Sequence, residues 1–594
     1  MSRRLFACLL VSSLAAAIPC AGEGPSDVGG STWRGAGLVP SWRRGLPESD
    51  ALRVPSPITR DDEVQQVTLK ETIAIALENN PGIAAQRLEP TRQETAVLQA
   101  QSSFDPTLSG ELTRTHSITP NASSLAGTRT LVTDDRSANL HLFKTFRTGT
   151  LATVDFLNDR LDANPRFQQL RPQYKTQLNL SVVQPLLRNF GWDFSYLVVR
   201  VAQQTAEAAL FQYEAQLANF VEQVIEGYWS IVRARENLQV QRESKALADR
   251  TVDENEARVR VGLLPPVAVL EAQADAKSRE EQVIRADNDL AVARQLLAQL
   301  VYYRPHDTFV PRTLEPAEEA VPEEVAVDLD RDLAVAIEER PEVLASARGV
   351  RTQQLNERIA SNALLPQLDL VGSYGVNGLS GTNRPISTTT LVNRFSPTDL
   401  GGGRCIPLGP GEGFICQVPA TVSFGTSPFA GPASEAYERL TSNDFRTYSV
   451  GLQFQVPLSN ALARSEITQS RIARTEAELN HRETLSTVTL EVRQSTANLT
   501  SARQRIDTTR VARELAEENL RNQEKRHEVG MATTKDLLDF QTRLTTARAA
   551  EVQAKIDYAI AVAQWRRAQG RLLSHYQVVV ERKGRPSVPW FARF

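Results

Sequence analysis

A chain of 594 residues that is 41% hydrophobic and 23% charged lies in the globular range, which argues against a disordered tail protein and against a polytopic helical membrane protein. Its 67 basic and 70 acidic residues leave a net charge of −3, so there is no strong field to hold phosphates and nucleic acid is not an expected partner.

The N-terminus carries Arg3 and Arg4, an apolar stretch from Leu5 to Ile18, and small residues at Ala21 and Gly22. That is the layout of a secretory signal peptide over residues 1–22. A membrane anchor needs about 20 apolar residues, and this stretch is shorter and interrupted by Pro19. Lipidation of Cys20 is the rival reading, and Pro19 just before it fits such a cleavage site poorly. Export removes Cys8 and Cys20 and leaves Cys405 and Cys416 in the segment GGGRCIPLGPGEGFICQVP. In an oxidising compartment this pattern favours a loop disulfide over a metal or catalytic site. Residues 23–66, rich in Gly, Pro, Ser and Arg and including Trp33 and Trp42, read as a flexible leader without legible chemistry.

After the leader comes VTLKETIAIALENNPGI (67–83), and VDLDRDLAVAIEERPEV (327–343) repeats its pattern. Val67, Leu69, Ala76, Glu78 and Pro81 match Val327, Leu329, Ala336, Glu338 and Pro341. The order then continues: Pro106 matches Pro366, VVQPLL (182–187) matches QVPL (455–458), and Val261-Gly262 matches Val529-Gly530. The chain reads as an internal duplication, a first repeat over 67–304 and a second over 327–574, each running helix, strands, long helix, tip, helix. A Pro- and Glu-rich linker at 305–326 separates them as a solvated connector, and 575–594 form a tail.

Heptad spacing marks the long helices. Leu210, Leu217, Val224, Ile231 and Leu238 recur every seven residues, and Val269, Ala276, Val283, Leu290 and Leu297 do the same beyond the first tip. Antiparallel coiled-coil hairpins follow, with a helix from about 192 to 261 on the order of 100 Å long. Gly262, Pro265, Pro266 and Gly530 break the helices at Val261–Ala268 and Val529–Lys535, as a reversal requires.

The strands are two-faced. In FRTYSVGLQFQV, Tyr448, Val450, Leu452, Phe454 and Val456 are apolar while the residues between them are polar or small. Tyr174, Leu178, Leu180 and Val182 alternate likewise with Lys175, Gln177, Asn179 and Ser181. One oily and one wet face over about ten residues is the pattern of a transmembrane β-barrel strand, against the alternative of an ordinary half-buried sheet. Clear strands lie at about 105–116, 173–184, 366–376 and 446–457, and weaker ones at 139–146 and 151–157 around the turn RTG are candidates for an added hairpin. So few strands close no barrel, and a lipid-exposed edge is not tolerated, so several chains must share one. The stretch from Leu379 to Asn443 then lies at the outer end of the barrel and carries the two cysteines.

The six histidines (116, 141, 306, 481, 527 and 575) show no metal-ligand spacing, and there is no phosphate-binding loop, no GxSxG and no CxxC. No enzyme, cofactor or metal is expected.

On these residues the chain resembles the TolC-type outer-membrane efflux factors. The likeness runs over roughly 67–575 and rests on the duplicated start of the first helix, the strand exits QPLL and VPL, and the two VG tips. It implies an α+β fold: a homotrimer whose twelve-stranded shared barrel in the outer membrane stands on long coiled-coil helices that form a periplasmic α-barrel. The function it implies is the exit duct of a tripartite efflux system for small molecules such as drugs or toxic compounds. A periplasmic adaptor protein and an inner-membrane pump are the implied partners. The alternatives are an exit duct for type I protein secretion and a coiled-coil rod without a pore. Further implied are adaptor contacts at Val261, Gly262, Leu263, Val529, Gly530 and Met531, and a lumenal gate at Asp536 and Asp539 whose mutual repulsion raises some of their pKa values. The chain departs from the family's latch at Ala268, His527 and Ala532.

Overall fold

The computed structural model describes residues 65–122, 128–165, 168–302, 314–318, 323–384, 386–396, 404–407 and 414–580. The signal peptide, the leader up to residue 64 and the last 14 residues of the tail lie outside them.

A short strand β1 (Gln65–Val67) leads into helix α1 (Leu69–Asn79). Thr68 starts α1 with a capping box: the Glu71 N–H donates to Thr68 Oγ1 at 3.3 Å and the Thr68 N–H to Glu71 Oε2 at 2.9 Å. Asn80 and Pro81 then break the helix, and α2 (Pro81–Ser102) begins with Pro at its first position and the Asn80 side chain as its cap. Four strands follow: β2 (Thr107–Pro120), β3 (Thr130–Thr145), β4 (Leu151–Ala163) and β5 (Leu170–Pro185). The helix expected from 192 divides at Tyr196 into α3 (Trp192–Ser195) and α4 (Leu197–Arg260), and α5 (Val267–Tyr302) returns beyond the tip.

The second half repeats this plan. Helices α6 (Leu329–Glu339) and α7 (Pro341–Asn362) have the same 11 and 22 residues as α1 and α2. Strand β7 (Gln367–Asn383) and β11 (Arg446–Gln455) flank an insertion of β8 (Ile386–Ser396), β9 (Arg404–Pro407), β10 (Phe414–Phe424) and α8 (Ala433–Ser442). Helices α9 (Ala461–Glu528) and α10 (Thr534–Ala568) form the second hairpin, and α11 (Leu572–His575) closes the fold. Part of the expected linker is not solvated: β6 (Leu314–Pro316) pairs in parallel with β1, and Leu314 is buried because it joins the core at this point.

Six strands form one antiparallel sheet in the order β11-β7-β5-β4-β3-β2. The resemblance implied four strands per chain. Among the described residues the number is six because β3 and β4 stand as a hairpin between β2 and β5, whereas in the second half β7 and β11 pair directly. Both edge strands expose nearly every residue. The insertion forms a separate three-stranded sheet, β8-β10-β9.

The main core sits midway along the hairpins, where Tyr228, Val221, Val224, Ile225 and Ile231 of α4 pack with Leu290 and Leu297 of α5, Ile73 of α1 and Ile556 of α10. The heptad positions Leu217, Val224, Ile231 and Leu238 are buried there, as the spacing predicts. Tyr228 is fully buried, and its hydroxyl donates to the Val67 carbonyl at 3.2 Å and accepts from the Glu318 N–H at 3.3 Å, tying the β1/β6 pair to α4. Burial pushes that phenol up to about 12. Among the described residues no helix is long and apolar enough to cross a membrane.

Candidate functional site: hairpin tips and a two-faced sheet

Both helical hairpins turn by the same device. At the first tip Gly262 has φ 78°, its N–H donates to the Val259 carbonyl at 3.0 Å, and the Leu263 N–H donates to the Arg258 carbonyl at 2.9 Å. At the second, Gly530 has φ 77°, with Gly530 bonding to His527 at 3.1 Å and Met531 to Arg526 at 2.8 Å. These two bonds satisfy the last carbonyls of α4 and α9, and the left-handed residue between them costs glycine nothing in sterics.

The chain brings the two tips together. Arg258 Nη1 donates to the His527 carbonyl at 3.2 Å, and the fully buried Asn255 donates from Nδ2 to the Ala268 carbonyl at 3.2 Å and to Thr534 Oγ1 at 3.3 Å. Further along, Gln541 Nε2 donates to Thr251 Oγ1 at 3.1 Å. Arg279, almost fully buried, bridges Asp275 at 2.6 Å, Ser244 Oγ at 2.7 Å and the Leu538 carbonyl at 3.4 Å. All of these bonds except those of Arg279 to Asp275 and Ser244 and of Asn255 to Ala268 join the first hairpin to the second. They are what sequence reading missed; the available signal was a polar residue at a position the coiled-coil pattern assigns to the core.

At the positions of the family's latch, Ala268 offers only its carbonyl, to Asn255, and His527 is buried with Nδ1 3.1 Å from the Ala532 carbonyl. These contacts all lie within one chain. Outside them Val261, Leu263, Val529 and Met531 are each 70% exposed or more, so none of the four takes part in the core.

Asp536 and Asp539 stand exposed in the first turns of α10, on the side away from the buried Leu537 and Leu538. Asp536 also completes a capping box with Thr533: its carboxylate accepts from Thr533 Oγ1 at 2.7 Å and from the Thr533 N–H at 3.1 Å. Those bonds hold the Asp536 carboxyl below its ordinary range within the single chain, the opposite direction to the rise that a ring of like charges would give. Nearby, burial and the neighbouring Glu528 and Glu254 push the Glu524 carboxyl up.

The register sorts the sheet residues onto two faces. One carries Leu108 opposite Leu142, then Val154, Leu180, Tyr374 and Tyr448 in successive strands, and Leu140, Phe156, Leu178 and Val376 in the next row. The other carries Glu111, Asp135, Asp155, Asp159, Asn179, Ser373 and Ser449. The alternation noted in two strands thus extends across all six. In the inserted sheet Cys405 of β9 lies opposite Cys416 of β10. Among the described residues no group of His, Cys, Asp and Glu is placed to hold a metal ion.

Comparison with known proteins gives concordant matches. The TolC outer membrane protein of Vibrio cholerae serotype O1 is 23% identical over 421 residues, 71% of this chain and 81% of that protein. The crystal structure of a membrane protein from Pseudomonas aeruginosa superimposes with a TM-score of 0.57 at 17% identity, covering 87% of this chain and 98% of the other. The Campylobacter jejuni CmeC outer membrane channel gives 0.53 at 17% identity, covering 87% and 90%. The sequence model of the outer membrane efflux protein family matches residues 158–301 and 417–571, together half of the chain, and the chain therefore belongs to that family.

Proposed function

We propose that three copies of this chain form the outer-membrane exit duct of a tripartite efflux system that exports small molecules such as drugs or toxic compounds. The protein is a channel component and not an enzyme. One observation carries the reading: the same chain holds a two-faced sheet open at both edges and, continuing from its strands, two hairpins whose first helices have 64 and 68 residues. Open edges are not tolerated in lipid, and six strands fall short of the eight that close the smallest barrel, so copies must join edge to edge. Helices of about 95–100 Å supply a tube below the membrane. The polar face of the sheet then lines the lumen and the apolar face meets lipid.

The exposed apolar tips are the adaptor contact in this reading, and an inner-membrane pump supplies the energy. Asp536 and Asp539 form a carboxylate ring at the entrance, one that attracts cations. Cys405 and Cys416, register partners in the backbone pairing of β9 with β10, close a disulfide at the outer end of the barrel in this reading. Intact mass and sedimentation test the assembly: a mature chain beginning near Glu23, isolated with outer membranes as a detergent-stable trimer, is expected. A soluble monomer that retains Met1 would sink the duct reading.

The β3–β4 hairpin favours a second reading, the exit of type I protein secretion. Six strands per chain give eighteen in a trimer in place of twelve, and a wider exit suits bulkier cargo. Loss of the gene separates the two: heightened sensitivity to toxic compounds supports small-molecule efflux, and disappearance of a protein from the medium supports secretion.

A further inference from the structure

On the apolar face of the sheet, the apolar stripe ends at an arginine on four of the six strands. Moving away from the helices, β2 presents Leu108, Gly110, Leu112 and then Arg114. β3 presents Leu142, Leu140, Ala138 and then Arg136, and β4 presents Val154, Phe156, Asn158 and then Arg160. β11 presents Val450, Tyr448 and then Arg446. The register sets Arg114 opposite Arg136, Arg136 opposite Arg160, and Arg160 opposite Tyr174 of β5.

Like charges directly opposite in a sheet are destabilising, and an arginine on the lipid face is costly near the bilayer midplane. Neither cost serves the fold. Carboxylates on this face answer only part of the charge. Asp134 pairs with Arg114 at 3.0 Å and approaches Arg136 at 3.7 Å, while Asp162 is taken by Arg171 at 2.7 Å. Among the described residues Arg160 and Arg446 have no carboxylate within 4.0 Å. Arg114 lies on one edge strand, so edge-to-edge joining of copies repeats the row of Arg114, Arg136 and Arg160 as a belt around the barrel, while Arg446, on the other edge strand, stands opposite Val376, four residues nearer the helices than that row.

We propose that this belt binds the phosphate groups of anionic lipids in the outer leaflet, which lie at the height where the apolar stripe gives way to charge. Guanidinium groups take phosphate oxygens in paired hydrogen bonds, and a flat row of them matches a layer of headgroups better than it matches any single soluble anion. The inference rests on the barrel reading of the sheet.

The test reconstitutes the full-length trimer into vesicles that contain either lipid A with its two phosphates or the same lipid with the phosphates removed. Lipid retained on the trimer is counted by native mass spectrometry. Retention of the phosphorylated lipid should exceed that of the other by at least tenfold, millimolar inorganic phosphate should not displace it, and the double variant Arg136→Gln, Arg160→Gln should lose the preference. Arg136→Lys, Arg160→Lys keeps the charge and should retain part of it, which separates lost binding from lost folding. Equal retention of the two lipids, displacement by inorganic phosphate, or an undiminished preference in the glutamine variant overturns the belt. A chain that never enters the vesicles overturns the barrel reading and the belt with it.

Discussion

Deleting residues 130–163 removes β3 and β4 and leaves the far end of β2 to connect directly with β5, which also runs antiparallel to it and carries apolar residues on the same face. In a trimer the strand count falls from eighteen to twelve. With strands about 4.8 Å apart and tilted about 40°, eighteen strands enclose a backbone diameter of about 36 Å and twelve about 24 Å. Inward side chains take roughly 5 Å from each wall, so the open lumen narrows from about 26 Å to about 14 Å and its area falls about threefold. Total conductance reports the helical entrance as well, so the measurement is polymer exclusion from the barrel side alone, in planar bilayers with the duct inserted in one orientation. Polyethylene glycols with hydrodynamic diameters between about 14 and 26 Å should enter the full-length barrel and reduce its conductance, yet leave the deletion variant unaffected. The same cut-off in both proteins, with both still trimeric in detergent, would refute the inclusion of the hairpin in the barrel wall.

Replacing Val261, Leu263, Val529 and Met531 together with aspartate should abolish export in a transport assay while the detergent-stable trimer persists, because these side chains are exposed and carry none of the core. Tyr228→Phe strands the Val67 carbonyl and the Glu318 N–H in a buried site and should lower stability by about 1–3 kcal/mol, read as a drop in Tm without loss of assembly. Glu524 binds its proton more tightly folded than unfolded, so its contribution to tip stability falls as pH rises from the ordinary 4.5 through the raised value. Hydrogen exchange at residues 520–540 should therefore quicken over that window beyond its intrinsic pH dependence, and Glu524→Gln should remove the excess. Asp539→Asn should weaken cation selectivity in single-channel recordings. Asp536→Ala should in addition loosen the start of α10 through loss of the capping box, so an equal effect of both on tip stability would count against the cap.

The parts of this fold legible in the sequence are those where one local rule decides. Heptad spacing fixed the face of α4 that holds Leu217, Val224, Ile231 and Leu238, since a helix of 64 residues buries a stripe only at that period. The glycines at 262 and 530 placed both turns for the same reason: their backbone angles suit little else. Where two rules compete, the sequence was ambiguous. The strand β3 opens with TLVTDDRSAN, whose charges hide the alternation, and only pairing with β2 and β4 shows that Asp135 and Arg136 fall on opposite faces. TTKDLLD likewise satisfies two patterns at once, two acids on one side of a helix and a threonine three residues before an aspartate. The bonds from Thr533 show the second at work in the single chain, while the first has a role only in the proposed trimer, in which three copies of Asp539 would gather at the entrance. A duct formed between chains keeps its wall chemistry in each chain but its pore only in the assembly. For that reason the hairpin bonds of Asn255 and Arg279, which hold one chain's two tips in register, set the frame in which any gate must open.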